Sequence, residues 1–155
     1  MKLTSFTDYS LRVLIYLATQ PERRATIAEI ARAFSISESH LTKVVHFLGK
    51  HGLLANVRGK GGGLGLARPP NEIFVGAVVR QTEGGALPAE CFDVAHNTCT
   101  LTRICRLRGA LREAVEAFYA VLDKYTLQDL VHNRTALAKV MIMKDMPARP
   151  DKRPA

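Results

Sequence analysis

Apolar residues recur every three or four positions along much of this 155-residue sequence, a spacing that indicates amphipathic α-helices. The first predicted helix has Ser5 or Thr7 as its N-cap and runs to about Thr19, shortly before a proline. Its apolar side consists of Leu11, Leu14, Ile15 and Ala18. This helix is therefore expected to contribute one face to a hydrophobic core.

A second and a third helix are predicted close together. Thr26 and Glu29, three residues apart in the sequence TIAE, form a capping box that opens the second helix. Ser37 is the predicted N-cap of the third helix, which Gly52 ends. The inward-facing positions are Ile27, Ile30, Ala31 and Phe34, then Leu41, Val44, Val45 and Leu48. Two helices joined by a tight turn predict a helix-turn-helix that spans Ala28 to His51.

Two short strand-like segments follow, joined by the glycine-rich sequence RGKGGG. Five of the eleven glycines lie between residues 59 and 65, where they permit a tight turn and a close approach of the backbone to another surface. A basic hairpin directly after a helix-turn-helix is typical of a wing. A further helix in NEIFVGAVVRQTEGG, with Asn71 as its N-cap, is expected to complete a DNA-binding domain of residues 1–85.

The second half of the chain contains a long amphipathic helix. Apolar residues from Ile104 to Tyr125 fall three or four positions apart, and so small a chain offers this stripe no obvious partner. We therefore expect residues 103–144 to hold a dimerisation helix and a short C-terminal helix that Thr126 caps. Residues 145–155, rich in proline and charge, are expected to form a disordered tail. The expected fold is mainly α, a winged helix-turn-helix DNA-binding domain plus a long dimerisation helix.

The net charge of +8 is concentrated in one region of the sequence. Between Arg32 and Arg68 there are six basic residues and one acidic residue, whereas the rest of residues 1–88 is electrically balanced. A basic surface favours a polyanionic partner such as double-stranded DNA. The alternatives are a small helical bundle without a ligand and a winged helix that binds another protein.

Candidate DNA contacts lie on the outward face of the third helix and on the wing. The serines beside the helix N-terminus can donate to phosphates, while His40 and Lys43 can approach base edges. On the wing, Arg58 and Lys60 would reach the neighbouring backbone or the minor groove. The predicted set is Ser37, Ser39, His40, Thr42, Lys43, Arg58 and Lys60.

Membrane, secreted and catalytic classes are disfavoured. No apolar run approaches the roughly 20 residues that span a bilayer. Arg12 interrupts the apolar part of the first segment, and no small-residue cleavage site follows it, so a secretory signal is not expected. We therefore expect a cytoplasmic protein without a membrane partner. The sequence RGKGGG lacks the Walker spacing, and no Cys-His-Asx signature is present, so we do not expect an enzyme.

All three cysteines, Cys91, Cys99 and Cys105, lie in or directly after an irregular loop of residues 86–102, with the spacing C-x7-C-x5-C. In a reducing compartment clustered cysteines are more often metal-binding or redox-active than disulfide-bonded. Three arginines surround the third cysteine, and such an environment favours thiolates. The residues alone leave open an iron-sulfur site, a zinc site, a redox thiol switch and buried inert cysteines.

A metal site on three thiolates would need a further ligand. The candidates are Glu90, Asp93, His96, His132 and Asp8. Asp8 also has a purely structural explanation. A carboxylate in the first turn complements the helix dipole, and Arg12 lies four residues on as a salt-bridge partner.

Several segments together resemble the iron-sulfur winged-helix transcription repressors, particularly their nitric-oxide-sensitive members. These segments are MKLTSFTDYSLRVLIYLA, IAEIARAFSISESHLTKVVHFLGKHG, GKGGGLGLARPPNEIFVGAVVRQTEG and the three late cysteines, so that the resemblance covers roughly residues 1–130. The resemblance implies a homodimer that binds a palindromic DNA operator and leaves it in response to nitric oxide. It also implies one iron-sulfur cluster per subunit on Cys91, Cys99 and Cys105, with 4Fe-4S favoured over 2Fe-2S.

The resemblance further implies the fourth ligand. In the nitric-oxide-sensitive members this ligand is an aspartate at the start of the first helix, contributed by the other subunit, and Asp8 stands at the matching place. His96 is the second choice. The iron-sulfur-assembly regulators of the same family have a histidine shortly after the third cysteine, where this sequence has Leu107, Arg108 and Gly109. Such an assembly regulator, and a cluster-free regulator that uses thiol redox chemistry or zinc, are the alternatives.

Overall fold

The computed structural model describes residues 2–57, 59, 61–84 and 88–145. These residues form seven α-helices and one two-stranded antiparallel sheet. The helices are α1 (Ser5–Thr19), α2 (Ile27–Phe34), α3 (Glu38–Lys50), α4 (Val75–Glu83), α5 (Arg106–Leu122), α6 (Leu127–Leu130) and α7 (Arg134–Asp145), and the strands are β1 (Leu54–Val57) and β2 (Gly63–Leu66). The prediction of a mainly helical winged fold is confirmed.

The first helix, α1, has a different N-cap from the two that were predicted. Thr4 is extended, and its Oγ1 accepts a hydrogen bond from Thr7 N at 3.2 Å, which makes Thr4 the N-cap. Ser5 and Thr7 were the wrong choices because both lie inside the first turn, where the Thr7 side chain is fully buried. The four predicted apolar positions all belong to the core or pack against it.

The helices α2 and α3 form the helix-turn-helix, and their predicted caps are confirmed. Thr26 Oγ1 accepts from Glu29 N at 3.2 Å, and Glu29 Oε2 accepts from Thr26 N at 2.6 Å. Ser35, with φ of 56°, ends α2 in the left-handed conformation, and Ser37 caps α3. The buried residues of α3 are the predicted Leu41, Val44, Val45 and Leu48.

The wing is tied to the helical core at its base. β1 and β2 pair from Leu54 with Leu66 to Val57 with Gly63. Next to β2, Ala25 N donates to Leu64 O at 3.0 Å, and Leu64 N donates to Ala25 O at 2.7 Å. Gly63 has φ of 142°, and a Cβ there would lie 3.0 Å from Ala25 O, so this close approach requires glycine.

The helix after the wing begins later than predicted. Asn71 is not its N-cap, because Asn71 lies in a 3-10 turn and α4 starts only at Val75. Between them the chain is extended and pairs with a distant segment. Ile73 O accepts from Leu127 N at 2.8 Å. Val75 N donates to Tyr125 O at 2.9 Å. This long-range pairing overrides the local helix signal.

The long helix α5 contains no buried residue in this single chain. It begins at Arg106, and Ile104, which was expected to start its apolar stripe, precedes the helix and is 82% exposed. Beyond α5 the chain folds back, so that α6 and α7 pack on α1 and α2 and bury Leu127, Val131 and Met141. The single short C-terminal helix that was expected is therefore two helices.

Some predictions concern residues that the structure does not describe. The boundary at residue 85, the wing residues Arg58 and Lys60, and all but Asp145 of the predicted tail lie there. The division into domains stays a prediction. Within the described part of the chain, no helix combines the length and apolarity needed to cross a membrane.

Candidate functional site

The N-terminal end of α3 presents two serine hydroxyls to solvent. Ser37 Oγ accepts from His40 N at 3.4 Å and lies 3.3 Å from Ser39 Oγ. Both hydroxyls stand at the positive end of a 13-residue helix, where a phosphate would be stabilised by the helix dipole and the free N–H groups. The structure thus places the two predicted phosphate-binding serines together.

The rest of the exposed face of α3 is also polar. His40, Thr42 and Lys43 are all exposed. Thr42 Oγ1 donates to Glu38 O at 2.8 Å, which leaves its oxygen free to accept a further hydrogen bond. A helix of this kind can enter the major groove, where such side chains reach base edges.

Two aromatic contacts join α1 to α3. The ring of Phe6 meets the ring of Phe47 edge to face, with 5.2 Å between centroids. The ring of Tyr9 lies 6.3 Å from the ring of His40. The sequence reasoning missed both contacts, because residues so far apart in the chain give no local signal. The first turns of α1 therefore touch the helix that carries the candidate DNA contacts.

The basic residues around the wing have different roles. Arg58 and Lys60 lie outside the described residues, so their DNA contacts stay a prediction. Arg68 is used structurally, since its Nε donates to Gly52 O at 3.1 Å and its Nη2 donates to His51 O at 3.4 Å. Arg68 thereby binds the carbonyl groups that follow α3.

Asp8, the predicted fourth ligand, forms the local ion pair that the sequence indicates. Arg12 Nε donates to Asp8 Oδ1 at 3.0 Å, and Arg12 Nη2 lies 2.8 Å from Asp8 Oδ2. The Arg12 guanidinium also lies 5.9 Å from the centroid of the Phe34 ring in α2. Both side chains keep about two fifths of their surface exposed, so Asp8 remains accessible from outside the chain.

A second carboxylate, that of Glu83 at the end of α4, binds the beginning of α1. Glu83 Oε1 accepts from Thr4 N at 2.9 Å, from Thr4 Oγ1 at 3.0 Å and from Thr7 Oγ1. Thr7 Oγ1 also lies 2.9 Å from Thr82 Oγ1. Burial raises the pKa of Glu83, but the hydrogen bonds from Thr7 and Thr4 outweigh burial and lower it below its ordinary value. The sequence reasoning missed this residue.

The three cysteines are free thiols in three different settings. Cys91 lies in a 3-10 turn and is half-buried, Cys99 is exposed, and Cys105 is the half-buried N-cap residue of α5. In a single copy of the chain, no three His, Cys, Asp or Glu side chains of the described residues come together as a metal site.

The loop between Cys91 and Cys99 is held by its own hydrogen bonds. Glu90 Oε1 accepts from both N and Oγ1 of Thr98 at 2.6 Å. These bonds lower the pKa of Glu90. Asn97 Oδ1 accepts from Cys99 N at 3.0 Å, next to the second thiol. The seven residues between the cysteines therefore form a structured turn.

The other candidate ligands also have local partners. His96 Nδ1 lies 2.9 Å from Asp93 Oδ2, and this bond lowers the pKa of Asp93. Among the described residues Nε2 of His96 has no hydrogen-bond partner, in the manner of a histidine that a carboxylate orients toward a metal. His132 Nδ1 lies 3.1 Å from Asp129 O, beside α6 and away from the cysteine loop in sequence.

The residues beside the cysteines fit an anionic group. Arg108 Nε is buried and has no hydrogen-bond acceptor within the described chain. The guanidinium of Arg108 lies 5.7 Å from the centroid of the ring of Phe92, the residue that follows Cys91. Arg108 itself lies in the first turn of α5, whose N-cap is Cys105. A buried donor without an acceptor indicates a missing partner. Three thiols with such a donor nearby fit thiolate-bound iron.

Known proteins resemble this chain over most of its length. Residues 3–133 match the Rrf2 family, described as iron-dependent transcriptional regulators. The helix-turn-helix-type transcriptional regulator NsrR of Geobacillus kaustophilus is 51% identical over 142 residues, which cover 91% of this chain and 97% of the relative. NsrR of Bacillus subtilis is 48% identical over 146 residues, covering 94% of this chain and 100% of the relative.

Solved structures agree with these sequence relatives. IscR of T. potens superposes with a TM-score of 0.70 and 26% identity, covering 86% of this chain and 88% of that chain. CymR, the global cysteine regulator of B. subtilis, superposes with a TM-score of 0.64 and 31% identity, covering 84% and 95%. The resemblance to this class of regulators and the expectation of a protein that is not an enzyme are confirmed. The chain belongs to the Rrf2 family of iron-dependent transcriptional regulators.

Proposed function

We propose that this chain is a transcription repressor that binds a palindromic DNA operator as a homodimer, that its operator binding depends on an iron-sulfur cluster, and that nitric oxide relieves repression. The observation that carries DNA binding is α3, whose exposed face is polar and whose N-terminus presents Ser37 and Ser39. The nitric oxide response is supported by the family resemblance and by Asp8 at the matching place in α1.

A second copy of the chain is the proposed partner of α5. This 17-residue helix buries none of its residues against its own chain, and Leu107 and Val121 are more than half exposed. Apolar residues three or four positions apart suit packing against an identical helix. The dimer would present its two α3 helices about 34 Å apart, one turn of a palindromic operator. Such a protein acts in the cytoplasm, where its operator lies.

The cluster would be held by Cys91, Cys99 and Cys105 of one subunit and by Asp8 of the other. When bound, the cluster supplies iron, the atom to which nitric oxide binds. Asp8 would be the first ligand to dissociate from the iron. A carboxylate oxygen is a harder ligand than a thiolate and binds the iron of such a cluster less strongly. His96, with its free Nε2, remains the second choice for the fourth ligand.

Asp8 has an alternative partner once it is released. In the single chain both of its oxygens are bound by Arg12. The turn that carries Asp8 also carries Phe6 and Tyr9, which contact Phe47 and His40 on α3. A change in the position of α1 would therefore reach the DNA-binding helix through direct contacts, and the spacing of the two helices on the operator would change.

A thiol-redox regulator without a cluster is the second candidate. The observation in its favour is the exposure of Cys99 as a free thiol. CymR of Staphylococcus aureus, whose oxidised form has been solved, is 28% identical and superposes with a TM-score of 0.63. An iron-sulfur-assembly regulator is favoured less, because Leu107, Arg108 and Gly109 offer no histidine after Cys105.

The test uses the full chain reconstituted anaerobically with iron and sulfide. We expect charge-transfer absorption, cluster mass on a dimer in native mass spectrometry, and operator affinity that falls when nitric oxide is added. Cys99→Ala should abolish the absorption, whereas Thr100→Ala, an exposed neighbour, should keep it. Operator affinity that nitric oxide leaves unchanged would reject the proposed switch, and absorption retained in Cys99→Ala would reject the ligand set. The absence of iron and sulfide would favour the thiol-redox candidate.

A further inference from the structure

The first turn of α1 is fixed from outside the helix. The first four N–H groups of any α-helix lack partners within that helix, and polar side chains usually satisfy some of them. Here Thr4 Oγ1 accepts from Thr7 N, and the carboxylate of Glu83 in turn accepts from Thr4 N and Thr4 Oγ1. A negative charge at this end of α1 also complements the helix dipole.

The same network includes a buried hydroxyl. Thr7 is fully buried, and its Oγ1 donates to Glu83 while lying 2.9 Å from Thr82 Oγ1. Removing the carboxylate would therefore leave the buried hydroxyl of Thr7 with fewer hydrogen-bond partners. Thr4, the N-cap, would lose both of its bonds to Glu83, and the start of α1 could fray. Three hydrogen bonds to one oxygen make Glu83 the residue that fastens α1 to α4.

Asp8 depends directly on this fastened turn. It follows Thr7 in the chain, and Asp8 N donates to Thr4 O at 3.0 Å. Two residues thus link Glu83 to Asp8. Thr4 binds Glu83 through its N and Oγ1 and binds Asp8 through its O, and Thr7, which also binds Glu83, precedes Asp8 in the chain. Glu83 does not touch Asp8 itself, so any influence on Asp8 is positional.

We propose that Glu83 is a positioning residue for Asp8. By holding Thr4 and Thr7 it fixes the turn from which the Asp8 carboxylate reaches the cysteines of the partner subunit. This inference rests on the proposed role of Asp8 as the fourth ligand. Glu83 does not contact the cysteines. Its loss should therefore weaken the bond between the Asp8 carboxylate and the cluster without removing any thiolate ligand.

The test is a double-mutant cycle on the cluster-loaded dimer. The variants are Asp8→Ala, Glu83→Ala and the combination, with Glu83→Gln as the conservative variant and Glu72→Ala, an exposed glutamate, as the matched control. The readout is the rate of cluster loss to an added iron chelator, followed by absorbance under anaerobic conditions. Circular dichroism and the thermal midpoint of each variant report folding separately.

We expect Glu83→Ala to lose the cluster at least about threefold faster than wild type, as the loss of a hydrogen bond of ordinary strength implies. The combined variant should be no faster than Asp8→Ala alone, because Glu83 acts through Asp8. Glu83→Gln keeps an oxygen acceptor and should recover most of the wild-type rate. Glu72→Ala should equal wild type.

Two results would contradict the role of Glu83 without contradicting Asp8 as the fourth ligand. One is a wild-type rate in Glu83→Ala when Asp8→Ala is fast. The other is a combined variant whose acceleration is the product of the two single accelerations, which marks a general structural role. A wild-type rate in Asp8→Ala would instead reject the fourth ligand and the inference with it. If Glu83→Ala does not fold, Glu83→Asp, whose shorter side chain withdraws the carboxylate from Thr4 and Thr7, supplies the same cycle in the wild-type and Asp8→Ala backgrounds. A wild-type rate in Glu83→Asp when Asp8→Ala is fast would then overturn the proposal.

Discussion

Gly76→Ala should destabilise the protein, although alanine is the better helix former. Gly76 lies in the first turn of α4, and a Cβ there would be 2.0 Å from Asp123 Oδ1 and 3.0 Å from Asp123 N. The Asp123 carboxylate accepts two hydrogen bonds of 2.6 Å from Arg80, whose guanidinium lies 4.4 Å from the centroid of the Tyr119 ring. The added methyl group must push the carboxylate away from Arg80 and move the end of α5.

The size of the effect follows from two opposing contributions. Forcing an extra carbon into a filled contact costs about 1–3 kcal/mol, and here the nearest atoms include a backbone nitrogen, which moves less easily than a side chain. Replacing glycine by alanine in a helix gains at most about 1 kcal/mol. With the full gain subtracted, the free energy of unfolding of Gly76→Ala should fall by up to about 2 kcal/mol. Apart from the neighbouring backbone of α3 itself, no atom of the described residues lies within 4 Å of the Cβ position of Gly49, so Gly49→Ala should gain about 1 kcal/mol.

The assay is urea unfolding followed by circular dichroism, at one protomer concentration because association adds to the stability of a dimer. The urea midpoint should move down for Gly76→Ala and up for Gly49→Ala. Placing Gly76→Ala in an Asp123→Ala background should recover part of the loss, since the nearest clashing atom is then gone. A midpoint that rises in both glycine variants would refute the contact reasoning.

Three other outcomes can be checked on the same protein. Burial raises the pKa of Glu29, but hydrogen bonds from Thr26 and the charge of Arg23 outweigh burial and lower it, so its stabilisation is present above the ordinary value of 4.5 and is lost as the pH falls through the lower folded-state value. Glu29→Gln should therefore unfold at less urea than wild type near neutral pH and approach wild type in acid, and a difference that persists in acid would contradict this. His40→Ala should change the preferred operator sequence at constant affinity for random DNA, whereas Lys60→Ala should weaken both and reduce the salt slope by about one unit in anisotropy titrations; equal effects on both DNAs from each variant would contradict these roles. Arg108→Met should lower the reduction potential of the bound cluster in a spectroelectrochemical titration, because reduction adds negative charge near the lost cation, while Arg112→Met, an exposed arginine one turn on, should not.

Features fixed by neighbouring residues could be predicted from the sequence. The capping box of Thr26 and Glu29 joins residues three apart, and the ion pair of Asp8 and Arg12 joins residues four apart. Both contacts depend on helix geometry alone, so they can be predicted from the spacing of the residues in the sequence. The buried stripe of α3 follows for the same reason.

Features fixed by distant residues could not be predicted. Asn71 has the side chain of a good N-cap, yet the extended pairing of Ile73 with Leu127 delays α4 until Val75. Glu83 lies 79 positions from Thr4, and nothing in the local pattern of either residue indicates their contact. The proposed cluster site would raise the same difficulty across two chains, because the described residues of one copy bring no three of the candidate ligands together.

If Asp8 is the fourth ligand, as we propose, the position of α1 connects the loss of that ligand to the DNA-binding helix. One part of the first turns of α1 is bound to α4 through Glu83, and another part packs on α3 through Phe6 and Phe47. The core residues Val13 and Leu14 are fully buried, so the helix has little room to move along its inner side. In the proposed dimer, a force exerted on Asp8 by the partner subunit would therefore rotate or tilt α1 as a unit. The contacts between α1 and α3 would move with it. Because a dimer must match two half-sites about 34 Å apart, even a small tilt would act twice on the spacing that the operator requires.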